Sequence, residues 1–274
     1  MSLPKDPRVV VTGAGGGLGR ALCLAVARRG ARLIASDLDV DAAEETCRLA
    51  RDAGAGDARA IRCDVTNVDD VEALEAEADR AYGGTDLLAN NAGVGAGGCV
   101  GEISLADWKF TLDVDLWGVI HGCHVFVPRM KKQRKGHILN VASAAGLLCS
   151  PRMAPYNVAK AGVVALSETL AAELSGHAVG VTVLCPTFFR TNIIRNGRFT
   201  NPKLREIGEG LLARSKMSAD DVARFALDKA DRNELYAVPM ADGRWMWRLK
   251  RAAPGAFQRI ARGIEVRMGR AADR

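Results

Sequence analysis

The 274 residues, 48% hydrophobic and 26% charged, have the make-up of a folded globular protein and not of a disordered or fibrous chain. There is no apolar run of about 18 residues, so no membrane-spanning helix is expected, and the opening MSLPKDPRVVV lacks a signal-peptide hydrophobic region. The net charge of +6 is local: Arg244–Arg274 hold nine Lys or Arg and two acidic residues, the remainder sums to about −1, and the basicity therefore says nothing about the main domain's ligand.

Strand-like and helix-like runs alternate. RVVVTG (8–13) precedes a helical pattern over 18–29, and RLIASD (32–37) one over about 40–53. ARAIRCDV (58–65) precedes a helix over about 67–82, and DLLANNAG (86–93) a long helical stretch over about 104–133. GHILNVAS (136–143) leads to the helix that begins near YNVAK (156–160), and VGVTVLCP (179–186) follows. The strands are short, apolar on both faces and rich in Val, Ile and Leu, as in a parallel sheet covered by helices on both sides. The fold class expected is α/β: a doubly wound, Rossmann-type parallel sheet in a single domain with a basic helical extension.

After VLCP the regularity lapses. Residues 187–217 read as an irregular insertion at a strand's carboxyl end, a candidate lid over a site. A helix resumes at SADDVARFALDKA, with Ser218 as N-cap and Asp221 at N3. Residues 1–240 form the expected catalytic domain and 241–274 the extension.

The seven cysteines, Cys23, Cys47, Cys63, Cys99, Cys123, Cys149 and Cys185, are scattered and never form CxxC. This favours reduced thiols in a cytoplasmic protein over a disulfide framework or zinc site. His121 and His124 form an HxxH with no third ligand near in sequence, and no metal is expected.

Gly13, Gly17 and Gly19 fall directly after the first strand and at the start of a helix. Glycines there let the backbone turn tightly and approach a pyrophosphate, while the helix N-terminus supplies N–H groups and a positive dipole end. The second strand ends at Asp37, 24 residues after Gly13. A carboxylate there accepts both hydroxyls of an adenosine ribose and repels a 2′-phosphate, so the cofactor expected is NAD and not NADP. The alternative role for Asp37 is to cap the helix starting near Val40.

YNVAK places a phenol and an ammonium on one face of one helical turn. Alone it also fits a half-exposed Tyr beside a solvated Lys. With TGAGGGLG (12–19), DV (64–65), NNAG (90–93), NVAS (140–143) and PTFFRT (186–191) in order, the chain resembles the classical short-chain dehydrogenase/reductase family from about Arg8 to Thr191, and more loosely to Pro239. Ser143 precedes Tyr156 by 13 residues, as the family pattern requires.

The resemblance implies an NAD(H)-dependent oxidoreductase that interconverts a secondary alcohol and a ketone. Tyr156 would be the general acid/base, Lys160 would lower its pKa and hold the nicotinamide ribose, and Ser143 would orient the substrate oxygen. It also implies a cofactor site of Gly13, Gly17, Leu18, Gly19, Asp37, Asp64, Val65, Asn90, Ala92, Gly93, Tyr156, Lys160, Pro186 and Thr191. Asp64 and Val65 would contact adenine, Asn90 and Ala92 would line the cofactor channel, and Thr191 would bond the carboxamide.

Two positions depart from the pattern. Asp115 stands where the family usually has Asn, which leaves its part in a proton relay open, because an ionised carboxylate only accepts. Thr187 stands where Gly is common, with a side chain that could narrow the mouth near the nicotinamide. Alternatives to the leading reading are a catalytically silent NAD-binding regulator and an NADP-dependent carbonyl reductase. Phe188, Phe189, Ile193 and Ile194 suggest an apolar, steroid- or lipid-like substrate, or else are lid-packing groups.

In the basic tail, Phe257, Ile260, Ala261, Ile264 and Met268 share a helical face. Two readings stand: a weak peripheral contact with a membrane or acidic partner, and a helix packed on the core or a sister subunit. No nucleic-acid motif is present. The resemblance implies a homodimer or homotetramer built on the long helix and the Tyr156 helix, where small Ala161, Gly162 and Ala165 permit close approach.

Overall fold

The computed structural model describes residues 3–272. Strands β1 (Arg8–Thr12), β2 (Arg32–Asp37), β3 (Asp57–Arg62), β4 (Leu87–Asn90), β6 (Gly136–Val141), β7 (Val179–Leu184) and β9 (Tyr236–Ala237) form a seven-stranded sheet in the order β3-β2-β1-β4-β6-β7-β9. All pairings are parallel; Val10 lies between Ile34 and Leu88. A parallel sheet buries both faces, which is why its strands are unbroken apolar runs. Helices α1 (Gly17–Ala27), α2 (Val40–Asp52) and α9 (Ala219–Asp231) cover one face. Helices α3 (Val68–Tyr82), α5 (Gly118–Gln133) and α7 (Ala154–Glu173) cover the other.

Chain order reverses between β1 and β4. From β1 the chain passes to α1 on one face and from β4 toward α5 on the other, and ligands of such folds bind in the crevice at the carboxyl ends of the strands at this reversal. Local chemistry sets the helix starts around it. Asp39, and not Asp37, caps α2 by accepting from the Ala42 N–H, and Ser218 with Asp221 forms the expected capping box of α9.

Two segments differ from the sequence reading. The stretch 104–133 is not one regular helix: α4 (Leu105–Leu112) passes through a π-helical turn, Asp113–Trp117, into α5. Such a wide turn bulges one residue outward and tends to mark a functional site; here the residue it turns inward is Asp115, fully buried. The insertion 187–217 is more regular than expected. It carries β8 (Arg198–Phe199), paired in parallel with β5 (Ala96–Gly97), and α8 (Pro202–Ala213), capped by Asn201. Polar and basic residues mask the periodicity of so short a strand.

The extension consists of α10 (Ala241–Ala252) and α11 (Pro254–Ala272), broken where Pro254 cannot continue the first helix. Its inner side packs on the chain itself. Trp247 lies 4.8 Å from Tyr236 between ring centroids, and Phe257 is buried. Ile260 and Ile264, on the expected stripe, are half-exposed; the Met268 side chain lies outside the described residues. A short helix, α6 (Ala144–Leu148), links β6 to the loop before α7.

Candidate active site

The glycine loop lies at the end of β1. Gly13 and Gly17 have φ of +64° and +52°, a region costly for residues with a Cβ. A Cβ on Gly13 would stand 2.7 Å from the Ala92 Cα, and one on Gly19 would overlap the Gly13 carbonyl oxygen, so these two glycines let the loop close on its neighbours. A Cβ on Gly17 would meet only Thr191 and Asn192 of the lid, at 3.8 Å or more. That open space faces the start of α1, where Gly16 offers no side-chain cap. A helix start without a side-chain cap and with room in front of it fits a dinucleotide's pyrophosphate. Leu18, on the first turn, is buried in the core with Phe189.

Asp37 turns back onto this loop. Its Oδ2 accepts from the Gly15 N–H at 2.7 Å and its Oδ1 from the Asp39 N–H at 3.0 Å, which leaves lone pairs and a negative charge beside the loop. Asp64 Oδ1 accepts from Thr66 N and Oγ1, within the turn before α3. Val65 is buried, and its carbonyl takes His121 Nδ1 at 2.9 Å, so that half of the HxxH serves packing.

The NNAG segment divides its asparagines between the two faces of the sheet. The Asn90 side chain turns away from the crevice into the helix layer, donating to Asn140 Oδ1 at 2.9 Å. It is Asn91, passed over in the sequence, that supports the site: its Nδ2 donates to the Thr12 and Gly13 carbonyls at 2.8 and 3.0 Å. Thr12 Oγ1 in turn accepts from the Asn91 and Ala92 N–H groups. The doublet NN was the signal, but alternation along a strand cannot say which of the pair faces the site.

Ser143 ends the β6 side and caps α6, accepting from the Ala145 N–H at 3.1 Å. The Pro186 carbonyl accepts from the Ala144 N–H at 2.8 Å, so the end of β7 fixes the same turn. Tyr156 and Lys160, one turn apart on α7, are both buried, with Lys160 Nζ 5.7 Å from the centre of the Tyr156 ring. Gly146 lets α6, with Ser143 at its N-cap, pack against the backbone of α7, since a Cβ there would stand 2.5 Å from the Lys160 carbonyl group. Met153, Ala145, Ala96 and Ile193 surround Tyr156 with apolar surface.

Lys160 Nζ donates to the Val141 carbonyl at 3.2 Å and lies 3.7 Å from Asp115 Oδ1. Asp115 Oδ1 also accepts from the Val94 N–H at 2.8 Å, while Oδ2 is buried without a protein partner. A Cβ on Gly93 would stand 2.9 Å from Asp115 Oδ1, so that glycine admits the carboxylate. Burial pushes the Asp115 carboxyl up to about 6, against the pull of Lys160 and the Val94 amide. The Tyr156 phenol is raised well above its usual range, first by burial and then by Asp115, with Ser143 opposing through a hydrogen bond. Lys160 is expected to lower this phenol, but in the structure Asp115 takes up part of that ammonium's field.

The lid corrects the expectation for Thr187 and divides the apolar residues after it between the two roles open to them. The Thr187 methyl faces α10, where a Cβ on Gly243 would stand 2.8 Å from it, and its hydroxyl is 3.5 Å from Asp242 Oδ1. It therefore faces the extension and not the crevice mouth. Phe189 and Ile194 are buried packing groups, whereas Phe188 is exposed and Ile193 lies against the Tyr156 cluster. Thr191 sits over Gly17, with its Oγ1 3.4 Å from the Ile193 N–H.

Residues 7–201 match the short chain dehydrogenase family. A short-chain dehydrogenase/reductase from Burkholderia phymatum, solved in complex with NAD, superimposes with a TM-score of 0.87 at 35% identity, covering 92% of this chain and 95% of that one. The 3beta-hydroxysteroid dehydrogenase 1 of Eggerthella lenta is 33% identical over 225 residues, 81% of this chain and 85% of the relative. The D-threitol dehydrogenase of Mycolicibacterium smegmatis is 37% identical over 185 residues, 67% and 70% of the two chains. With a glycine loop, an ordered Ser–Tyr–Lys set and a family match over most of its sheet, the chain belongs to the short-chain dehydrogenase/reductase family, oxidoreductases that bind a nicotinamide cofactor.

Proposed function

We propose that the protein is an NAD(H)-dependent dehydrogenase/reductase acting on an apolar secondary alcohol or its ketone, of steroid-like or lipid-like character. The observation that carries this reading is Tyr156: a phenol buried in an apolar wall, close to Ser143 and one turn from a buried ammonium. The cofactor, when bound, supplies the hydride acceptor or donor and, when oxidised, a positive charge. Tyr156 holds or takes the proton of the substrate oxygen, so that proton and hydride move in step. Ser143 orients that oxygen and stabilises the phenolate. Lys160 holds the site's positive charge and, through its ammonium, a ribose hydroxyl. Because burial keeps the phenol protonated, the protein without cofactor is poised as an acid, the form needed to reduce a ketone.

Asp37 supports NAD over NADP. Its carboxylate lies against the glycine loop, and a 2′-phosphate there would meet a like charge. The apolar wall of Met153 and Ile193 supports the substrate class, as does likeness to a hydroxysteroid dehydrogenase. A symmetric homo-oligomer is proposed as well, through α7 and the helices α4–α5, where Val158 and Trp117 are 49% and 50% exposed. Gly162 serves inside the chain instead, against Leu116, leaving Ala165 on the outer face. The test is oxidation of a panel of hydroxysteroids and aliphatic secondary alcohols with NAD and with NADP. Turnover with NAD is expected; no turnover of any secondary alcohol with either cofactor would reject the reading.

A further inference from the structure

The extension lies outside the stretch that matches the family, yet two of its side chains reach the segment between Ser143 and Tyr156. Lys250 Nζ, on α10, donates to the Leu147 carbonyl at 2.7 Å and lies 3.5 Å from Cys149 Sγ. Leu147 is in the last turn of α6, whose carbonyls lack partners further along the helix, and a cation there also meets the negative dipole end. Ser143 caps the other end of this five-residue helix. On α11, Glu265 holds Arg152 through both carboxylate oxygens, at 2.8 to 3.1 Å from Nε and Nη2. The Arg152 side chain is 14% exposed. A bidentate, half-buried guanidinium–carboxylate pair is the geometry in which an ion pair fixes position, unlike a solvated one.

The held segment is one that would otherwise relax. Cys149 and Arg152 have φ of +55° and +60°, in the left-handed region that residues with a Cβ avoid. The Asn157 amide adds a third tie, donating to the Ser150 carbonyl at 2.6 Å. The Arg152 carbonyl accepts from the Gly98 N–H at 2.8 Å, and Gly98 forms a bridge with Met153. Met153 in turn packs on Tyr156, Ala145, Ala96 and Ile193. Arg152 thus lies between the extension on one side and the wall around the phenol on the other.

We propose that α10 and α11 brace the active site: Lys250 and Glu265 are positioning residues that hold the Ser143–Tyr156 segment, and with it the substrate-side wall. The proposal rests on Ser143 and Tyr156 acting as in the proposed function. Without the Glu265 carboxylate the hold on residues 149–153 loosens, Met153 shifts, and substrate oxygen, Ser143 and Tyr156 lose alignment. A misplacement of about 1 Å can slow such a step by about a hundredfold. The glycine loop and Asp37 are on the other side of the crevice and keep their cofactor affinity.

The test compares wild type with Glu265→Gln, Lys250→Met and the exchange Arg152→Glu/Glu265→Arg, all in the full chain. Amide hydrogen exchange is read at Gly98, Cys149, Ser150, Arg152 and Met153 without cofactor, and kcat, KM and NAD affinity are measured with a hydroxysteroid. Expected for Glu265→Gln are exchange in 149–153 faster by about tenfold, a raised substrate KM, kcat lower by about tenfold and unchanged NAD affinity, with exchange and KM restored by the charge exchange. Unchanged exchange and KM, with only a lower Tm, would overturn the brace and leave the extension as added stability. If the wild type oxidises no alcohol, the proposed function fails, while exchange at 149–153 still decides for or against the brace.

Discussion

Asp115 Oδ1 stands 3.7 Å from Lys160 Nζ, both side chains being fully buried. One ammonium therefore serves two groups that compete for it, the Asp115 carboxylate and the Tyr156 phenol. Burial raises the carboxyl from an ordinary 3.8 to about 6. For an acid raised in the folded state, the stabilisation is fully present below the unfolded value and is lost as pH rises through the folded one. Asp115→Asn, which keeps the shape and cannot ionise, should match wild-type Tm only below about pH 4, lead it already at pH 5, and gain about a further 3–5 °C between pH 5 and pH 8. Thermal melts at the two pH values check this; a pH-independent difference would show that Asp115 does not titrate in the window.

The same pair bears on rate. Once ionised, Asp115 opposes the phenolate, as the rise in the Tyr156 value records. Asp115→Asn should remain active and shift the rise of kcat/KM for alcohol oxidation to lower pH, since an electrostatic penalty on the base is removed. Superimposable profiles for the two forms would confine Asp115 to holding Val94, its partner across the site.

Tyr156→Phe keeps the ring in its apolar wall and removes the proton carrier. Turnover should fall by about 10²- to 10⁴-fold, while NAD affinity, which depends on the glycine loop and Asp37, changes little. Steady-state rates with a parallel fluorescence titration of NADH separate the two. A variant oxidising substrate at near wild-type rate would remove Tyr156 from the chemistry.

The sheet and its order of helices were legible because a parallel sheet writes its burial directly into Val/Ile/Leu runs, and the glycine loop because its turn admits few other residues. What sequence could not supply were relations between segments. Asn90 and Asn91 are equivalent on paper, yet one supports the helix layer and the other the glycine loop. Thr187 stands at the mouth in sequence but faces α10 in space. Lys160 was legible as a cation beside Tyr156; its sharing with Asp115 depends on the π-turn, which adds no distinctive pattern to DVDLW. Arg152 gave no signal at all, because its partner Glu265 is more than a hundred residues away.

Asp37→Ala should narrow the preference for NAD over NADP. The wild-type carboxylate both accepts from ribose hydroxyls and repels a phosphate, so its loss weakens NAD and relieves NADP together. A change of about tenfold or more in the affinity ratio is expected, roughly 1.4 kcal/mol. Asp37 also accepts the Gly15 N–H, so part of any NAD loss comes from a looser loop. That contribution falls on both cofactors alike and cancels in the ratio. Titration of both cofactors decides; equal affinities in the wild type would reject the role given to Asp37.

Gly146 offers a test of how the Ser and Tyr–Lys elements are brought together. A Cβ there would stand 2.5 Å from the carbonyl carbon and oxygen of Lys160 and 2.8 Å from the Ala161 nitrogen. These are backbone atoms of α7, which cannot swing aside as a side chain end would. Gly146→Ala must therefore push α6 away from α7, and α6 carries Ser143 at its N-cap. The cost of such overpacking is about 1–3 kcal/mol, which lowers Tm by roughly 2–4 °C per kcal/mol in a chain of this size. The displaced Ser143 no longer lines up with the Tyr156 oxygen, so kcat should fall by about ten- to a hundredfold. Gly255 on α11 supplies the control, because a Cβ there meets nothing within 4 Å. Gly255→Ala should keep wild-type kcat and Tm. If Gly146→Ala did the same, α6 would have room to move without disturbing Ser143, and the close packing of the two helices would not set the catalytic spacing.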